Sequence, residues 1–271
     1  PSLKHVFMFG AAVSPDVVKQ FSKAMPGGKI YTPYGATEAL PLTLIDEQEI
    51  MDDTGPFTQN GAGVCVGRPI GGTEICIIPI NEEAITQWND SLTLAADEIG
   101  EIVVKGAIVT RAYLNRPQQT ALAKIQDKDG QVWHRMGDLG YLDEQGRVWV
   151  CGRKSHRVET ERGLLLPIQC EAIFNAHPDA ARTALVGLGE RGKQQPVLIV
   201  EAKPGKAPAS VQEKQKFRDE LLTLGAKFEH TRHIEMILFH PSFPVDVRHN
   251  TKIQRHELAA WAAKQVVKRK T

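Results

Sequence analysis

A change of hydrophobic pattern along the chain limits what it can fold into, because it divides the 271 residues into three regions. From Val6 to Leu44, the apolar run Val6-Phe7-Met8-Phe9 reads as a buried strand. Ser14-Pro15-Asp16 follows as a helix N-terminus with proline in the first turn. Val17, Val18, Phe21 and Met25 fall at helical spacing, and Lys29 to Thr32 makes a second strand that ends in a loop at Gly35. Strand, helix and strand within about 30 residues form one piece of an α/β layer.

Between Val64 and Val150 the pattern shortens to the β runs Glu74 to Ile80, Gly100 to Lys105 and Arg147 to Cys151. Turns such as Asp127-Lys128-Asp129-Gly130 and Asp143-Glu144-Gln145-Gly146 separate such runs, so this region is expected to be β-rich. After Gly152 the signals mix again. A helix is expected near Ile168 to Ala176, strands at Thr183 to Gly187 and Pro196 to Ala202, a helix over Val211 to Leu224, a strand over Ile234 to Phe239, and a last helix after Lys252. Lys203-Pro204-Gly205-Lys206-Ala207-Pro208 reads as a surface loop. The fold class is therefore α/β followed by α+β, with an α/β segment over 1–63, a β-rich subdomain over 64–152 and a small α+β domain over 153–271.

Composition excludes several partners. An apolar share of 42% can fill a core, and 33 Lys+Arg against 32 Asp+Glu leaves no field that would advertise nucleic acid or a membrane surface. The basic end Lys264 to Lys270 reads as a solvated helix end, and no apolar stretch reaches the roughly 18 residues of a membrane span. Cys65, Cys76, Cys151 and Cys170 lie far apart with no CxxC pair, so neither a zinc site nor a disulfide framework is indicated and a reducing cytoplasm is expected. The chain moves from Pro1 straight into a strand without an initiator methionine or leader, which reads as the interior of a longer protein.

Six segments carry the chemistry: Gly10-Ala11-Ala12, Tyr34-Gly35-Ala36-Thr37-Glu38, Gly100-Glu101 with Tyr113-Leu114-Asn115-Arg116-Pro117, Met136-Gly137-Asp138-Leu139-Gly140-Tyr141, Gly152-Arg153-Lys154, and Lys252-Ile253-Gln254-Arg255. In this order they resemble the adenylate-forming superfamily of acyl-CoA synthetases, acyl-AMP ligases and luciferases, and the resemblance covers nearly the whole chain. Within that superfamily, Pro244-Val245-Asp246-Val247-Arg248-His249-Asn250 ahead of the lysine is similar to the β-lactone synthetases of bacterial long-chain olefin biosynthesis. The resemblance implies that 1–152 is the end of a large AMP-binding domain whose β-rich part is a distorted barrel, and that 153–271 is a small mobile domain. The family's Ser/Thr/Gly-rich phosphate loop is not found, so the chain is expected to be the C-terminal half of an enzyme about twice as long, nearly inactive by itself.

Roles for individual residues follow from that resemblance and from their chemistry. A ribose needs an acceptor for its paired hydroxyls, and the Asp138 carboxylate at a Gly-flanked turn suits it; alone, it would pass for an ordinary turn aspartate. Arg153 is carried over as a ribose or phosphate contact, although by itself it reads as a surface ion-pair partner. Tyr34 and Gly35 can offer an adenine a flat face, Thr37 can donate to the α-phosphate, and Glu38 can hold Mg²⁺, which prefers oxygen ligands. A core tyrosine before a helix cap is the plain alternative. Gly10 and Ala11 let the backbone approach a nucleotide closely, or simply pack tightly after a strand. Lys252 would neutralise charge as a substrate carboxylate attacks the α-phosphate of ATP.

Two features bear on the second half of the reaction. The family has Ser/Thr-Gly before this lysine and an Asp or Lys hinge two residues after the arginine, whereas this chain has Asn250-Thr251 and Ser155 followed by His156 and Arg157. Lactone closure by the substrate's own 3-hydroxyl needs no thiol, and the intramolecular nucleophile brings its own effective molarity. His134, His156 and His249 are candidate bases by residue type. The leading expectation is ATP- and Mg²⁺-dependent β-lactone formation from a long-chain 2-alkyl-3-hydroxy acid, with olefin-pathway enzymes as possible partners. The alternative is a long-chain fatty acyl-CoA synthetase or acyl-AMP ligase, which would also use CoA or a fatty acid. A non-catalytic scaffold derived from this fold has no need to keep Asp138, Glu38 and Lys252 together.

Overall fold

The computed structural model describes residues 3–246 and 252–270, the last three by backbone alone. The chain forms two compact units, one of residues 1–58 and 62–155, the other of residues 59–61 and 156–271. In the first unit, β1 (His5–Phe7) and β2 (Lys29–Ala36) run parallel, with α1 (Pro15–Ala24) as their crossover. The Ser14 hydroxyl caps α1 by accepting the Val17 amide at 3.4 Å. The helix buries Val18 against Ile30, Ile45 and Trp149.

The second strand does not stop at Thr32. It continues through Tyr34 and Gly35, turns at Thr37–Glu38 and returns as β3 (Ala39–Asp46), with Tyr34 opposite Thr43 and Ala36 opposite Ala39. The segment expected to be a loop at Gly35 is thus a strand end and a tight hairpin. Pro33 and Gly35 signal a break locally, but the antiparallel ladder to β3 holds the chain extended. After β3 come α2 (Glu47–Glu49), a π-helical turn at Ile50–Thr54, α3 (Gly55–Gln59), β4 (Val64–Cys65) and β5 (Arg68–Pro69), which completes the sheet β1-β2-β3-β5.

The β-rich region follows as β6 (Glu74–Ile78), β7 (Gly100–Lys105), α4 (Pro117–Ala123), β8 (Lys124–Gln126), β9 (Val132–Leu142) and β10 (Val148–Arg153). Its sheet has the order β4-β10-β9-β7-β6, with β8 also on β9. Both expected turns are present, closed by the Gly130 amide on Asp127 at 3.2 Å and the Gly146 amide on Asp143 at 2.8 Å. Asp138, however, lies inside the 11-residue strand β9 and not in a turn. Gly137 takes φ +66°, and the β9–β10 register shifts between Val150 and Gly152, so the glycines mark a bulged strand. At Gly140 a Cβ would collide with the backbone of Trp149, so this glycine permits two strands to pass closely.

A buried charge cluster ties this sheet to its connections. Glu101 and Arg135 have side chains 1% and 2% exposed and meet at 2.6 Å, while Lys154 reaches the same carboxylate at 3.0 Å. Arg135 also donates to the carbonyls of Glu83 at 2.7 Å, Leu122 at 3.1 Å and Asn81. One guanidinium thereby ties β7, β9 and two connecting segments together.

The second unit contains β11 (Val158–Thr160), β12 (Gly163–Leu165), α5 (Pro167–Asn175), β13 (Ala180–Leu188), β14 (Gln195–Ala202), α6 (Val211–Gly225), β15 (Met236–Phe239) and α7 (Arg255–Lys270). Its three-stranded sheet β13-β14-β15 is covered on both faces. Leu185, Leu198, Val200 and Ile237 pack against Cys170 and Phe174 of α5 and Phe217 and Leu221 of α6. Ala184, Val186, Val197, Ile199 and Leu238 pack against Leu258 and Ala262 of α7. Two-sided burial explains why these strands read as continuous apolar runs. Ser210 and Glu213 form a reciprocal capping box that starts α6 after the surface loop.

The Glu101–Arg135 pair yields a stability prediction. Arg135→Met leaves a buried carboxylate with only Lys154 and strips the three carbonyls of their guanidinium donor. Urea denaturation should show a loss of about 3–5 kcal/mol, the usual consequence of removing one partner from a buried pair. A loss below about 1 kcal/mol would mean that the pair is solvated.

Candidate active site

The carboxyl ends of the parallel strands β1 and β2 lead directly into the two N-terminal motif segments. Gly10 and Ala11 lie on the exposed connection from β1 to α1, with Gly10 at φ +105°, and Tyr34 to Glu38 close β2. Ligands of α/β sheets bind outside this end of the strands.

Tyr34, Asp138 and Arg153 are brought together there. Asp138 on β9 lies directly opposite Arg153 on β10, so the sheet register makes them a cross-strand pair. Arg153 donates to Asp138 Oδ1 at 2.9 Å and to the Met136 carbonyl at 3.2 Å. The Tyr34 hydroxyl donates to Asp138 Oδ2 at 2.7 Å from the other sheet. Asp138 is only 7% exposed. Burial pushes its carboxyl up, against the opposing pull of Arg153 and Tyr34. The Tyr34 phenol is pushed well up by burial and then by Asp138. Arg153 keeps 53% of its side chain exposed, so it is bound on one side and in contact with solvent.

Thr37 and Glu38 form the tip of the β2–β3 hairpin, where the Glu38 carbonyl accepts the Thr110 amide at 2.8 Å. Glu38 Oε1 accepts the Tyr113 hydroxyl at 2.7 Å. Burial favours the protonated acid, but the Tyr113 bond, the Glu38 backbone amide and the nearby His134 and Lys124 outweigh it and hold the carboxyl below its usual value. Lys124 sits beside this carboxylate, bound to the Thr110 hydroxyl at 3.2 Å and 5.9 Å from the centre of the Tyr113 ring. Burial lowers its ammonium to about 8. The arrangement is one partly exposed carboxylate whose Oε1 is fixed by the Tyr113 hydroxyl. Among the described residues there is no cluster of three or more metal-ligating side chains. A single carboxylate suits Mg²⁺, which is usually held by one or two carboxylates together with substrate phosphates.

Lys252 belongs to the other unit and is exposed. Its carbonyl accepts the Asp246 amide at 2.9 Å, and Val245 bridges Ile253, so the chain on either side of 247–251 is clamped. His249, Asn250 and Thr251 lie outside the described residues. Of the candidate bases, His134 is 2% exposed and faces the Ala123 carbonyl through Nδ1 at 3.1 Å, a structural placement. His156 is half-buried and is the residue at which the chain passes from the first unit into the second.

Sequence reasoning missed Lys124 and the Glu171 partner of Arg255. Lys124 follows a short helix with no periodic or turn signal to mark it, and Glu171 reads as one more polar position of α5. Tyr113 stood in a quoted motif, but nothing in its spacing assigns it to Glu38. Only the folded sheet does.

Residues 1–114 match the family of AMP-binding enzymes. The chain belongs to this adenylate-forming superfamily. Over 98% of its length it is 47% identical to an olefin β-lactone synthetase of Xanthomonas campestris pv. campestris, and over 99% it is 44% identical to that of Stenotrophomonas maltophilia. It spans about half of these curated relatives, 48% and 49% of their lengths. A long-chain-fatty-acid–CoA ligase of Bacillus subtilis is 29% identical across 73% of the chain and 32% of that protein. The fold is also that of an amide bond synthetase from Marinactinospora thermotolerans, with TM-score 0.74, 22% identity and coverage of 96% of this chain and 47% of that one. An o-succinylbenzoate coenzyme A synthetase of Bacillus subtilis, in complex with ATP and magnesium ion, gives TM-score 0.69 at 21% identity, covering 95% of this chain and 47% of its own. The mixed architecture expected from the sequence pattern agrees with these folds. No described helix is long and apolar enough to cross a membrane.

The buried His134 makes the β-rich region sensitive to acid. Burial and then the Lys124 charge push the imidazole down to about 4 from an ordinary 6.5. Between these pH values the unfolded chain binds a proton that the folded protein does not, so this stability is present above pH 6.5 and lost as pH falls toward 4. The loss is about 3 kcal/mol by linkage. Urea midpoints measured from pH 7 to 4 should therefore fall more steeply for the wild type than for His134→Asn. Parallel curves would show that His134 protonates freely in the fold.

Proposed function

We propose that the protein containing this chain is an ATP-dependent β-lactone synthetase acting on a long-chain 2-alkyl-3-hydroxy acid. The observation that carries the reading is the 47% identity to an olefin β-lactone synthetase, which extends through both units of the chain. In the first step a carboxylate oxygen of the substrate attacks the α-phosphate of ATP and pyrophosphate leaves. In the second, the 3-hydroxyl oxygen attacks the acyl carbon of the adenylate, its proton passes to a base, and AMP leaves with the ring closed.

The residues divide the work between holding the nucleotide and stabilising charge. Asp138 accepts from the ribose hydroxyls, since each of its oxygens has a lone pair left after bonding Tyr34 or Arg153. The same bond fixes the Tyr34 ring, which makes it a rigid surface for the adenine. Gly10, Ala11 and Gly35 allow close backbone approach, Thr37 donates to the α-phosphate, and the partly exposed Arg153 reaches ribose or phosphate. Glu38 would hold Mg²⁺, and the bound ion supplies charge neutralisation at the phosphates. Lys252 carries the cation that stabilises the transition state of adenylation. Olefin-pathway enzymes are the proposed partners, since a β-lactone must pass to a further enzyme that consumes it.

Assay of the full-length protein with ATP and a 3-hydroxy acid tests the reading: AMP and lactone should form equally with and without CoA. A product formed only with CoA would favour a long-chain acyl-CoA ligase instead. Asp138→Ala should weaken ATP use by about 1–3 kcal/mol through lost ribose hydrogen bonds, and unchanged ATP dependence would remove it from the site. Lys252→Ala should lower pyrophosphate exchange by about 10²–10³-fold while ATP affinity changes far less. Wild-type exchange with no final product would move Lys252 to the second step.

A further inference from the structure

Three residues beyond Lys252, Arg255 opens α7 and turns its guanidinium onto α5. There it forms a fork with Glu171: one nitrogen bonds Oε1, and the other donates to Oε2 at 2.8 Å. Glu171 Oε1 also accepts the Leu185 amide at 2.7 Å, while Arg255 donates to the Leu185 carbonyl at 3.3 Å. Leu185 lies on β13, an edge strand of the three-stranded sheet, so the carboxylate and the guanidinium together satisfy backbone groups that a neighbouring strand would otherwise take. Both side chains are largely buried, 10% exposed for Glu171 and 14% for Arg255. The pair thus joins α5, β13 and the start of α7.

From Arg255 the restraint reaches Lys252 through a short and well-tied stretch. The Gln254 amide donates to the Pro244 carbonyl at 2.9 Å, Gln254 Nε2 reaches the Val245 carbonyl at 3.2 Å, and Ile253 bridges Val245. Ile253 and Val245 pack on the α7 side of the sheet with Leu258 and Phe243. Lys252 itself is exposed, and its carbonyl accepts the Asp246 amide at 2.9 Å, so among the described residues its backbone is tied to the same 244–246 segment that holds Ile253 and Gln254.

We propose that Glu171 and Arg255 are positioning residues that set where Lys252 presents its ammonium, acting only through that lysine. The inference rests on the proposed role of Lys252 in adenylation. A bidentate fork is required because a single point charge would hold the acid without fixing the orientation of α7, and a lysine cannot reproduce the two parallel bonds. Misplacement of a charge-stabilising group by about 1 Å is enough to cost on the order of 10²-fold in rate.

The test is a double-mutant cycle on the full-length protein, read by pyrophosphate exchange with ATP and a 3-hydroxy acid. Arg255→Lys should lower the exchange kcat by about 10- to 100-fold and leave the ATP KM within about threefold. In a Lys252→Ala background the same change should add less than about twofold, because the group it positions is gone. A merely structural arginine predicts losses that multiply; that result, or wild-type exchange by Arg255→Lys, overturns the proposal. Should Arg255→Lys fail to fold, Glu171→Gln carries the same cycle from the other side of the pair. If Lys252→Ala exchanges at the wild-type rate, the adenylation role of Lys252 has failed and the positioning role falls with it.

Discussion

The first unit is organised around one carboxylate. Asp138 stands on a strand of the β-rich sheet, receives Arg153 from the adjacent strand and receives Tyr34 from the other sheet, so its two oxygens join the sheets across a buried gap. Burying this charge is unfavourable in itself, which is why its carboxyl is raised. Two directed donors offset that desolvation and fix the carboxylate's orientation. The orientation of Tyr34 and Arg153, on which the proposed nucleotide site relies, depends on that junction.

The same logic recurs wherever the chain buries charge. Glu101 is enclosed by Arg135 and Lys154, and Glu171 by Arg255 and a backbone amide. Neither pair belongs to the proposed chemistry, yet each adjoins a residue that does: Lys154 follows Arg153, and Arg255 follows Lys252 by three positions. Buried ion pairs add little net stability, but they permit very few orientations. The fold therefore holds the exposed cations of the proposed chemistry, Arg153 and Lys252, next to buried ones.

Much of the architecture was legible because its signals are local. Apolar runs marked β13 and β14, Ser14-Pro15 marked the start of α1, and the two Asp-to-Gly turns marked the hairpins onto β9. The failures came where local chemistry and tertiary pairing disagree. Gly35 and Gly137-Asp138-Leu139-Gly140 carry turn composition, yet both lie in paired strands. In a sheet a glycine can equally mean a bulge or a close backbone approach, and composition cannot tell these from a turn.

By itself the sequence determined the class of the chain and the order of its strongest elements, and it supplied the residues proposed to bind a nucleotide, since periodicity and six motif segments are properties of the chain alone. Tertiary structure decided which side chains meet. Tyr34 and Asp138 are 104 residues apart, Tyr113 and Glu38 are 75 apart, and Arg255 and Glu171 are 84 apart. Contacts at such separations follow from strand register and helix packing, and a one-residue slip of β9 would turn Asp138 to the opposite face. The sequence names the groups, but only the closed sheets fix their distances and hence the charge each can carry.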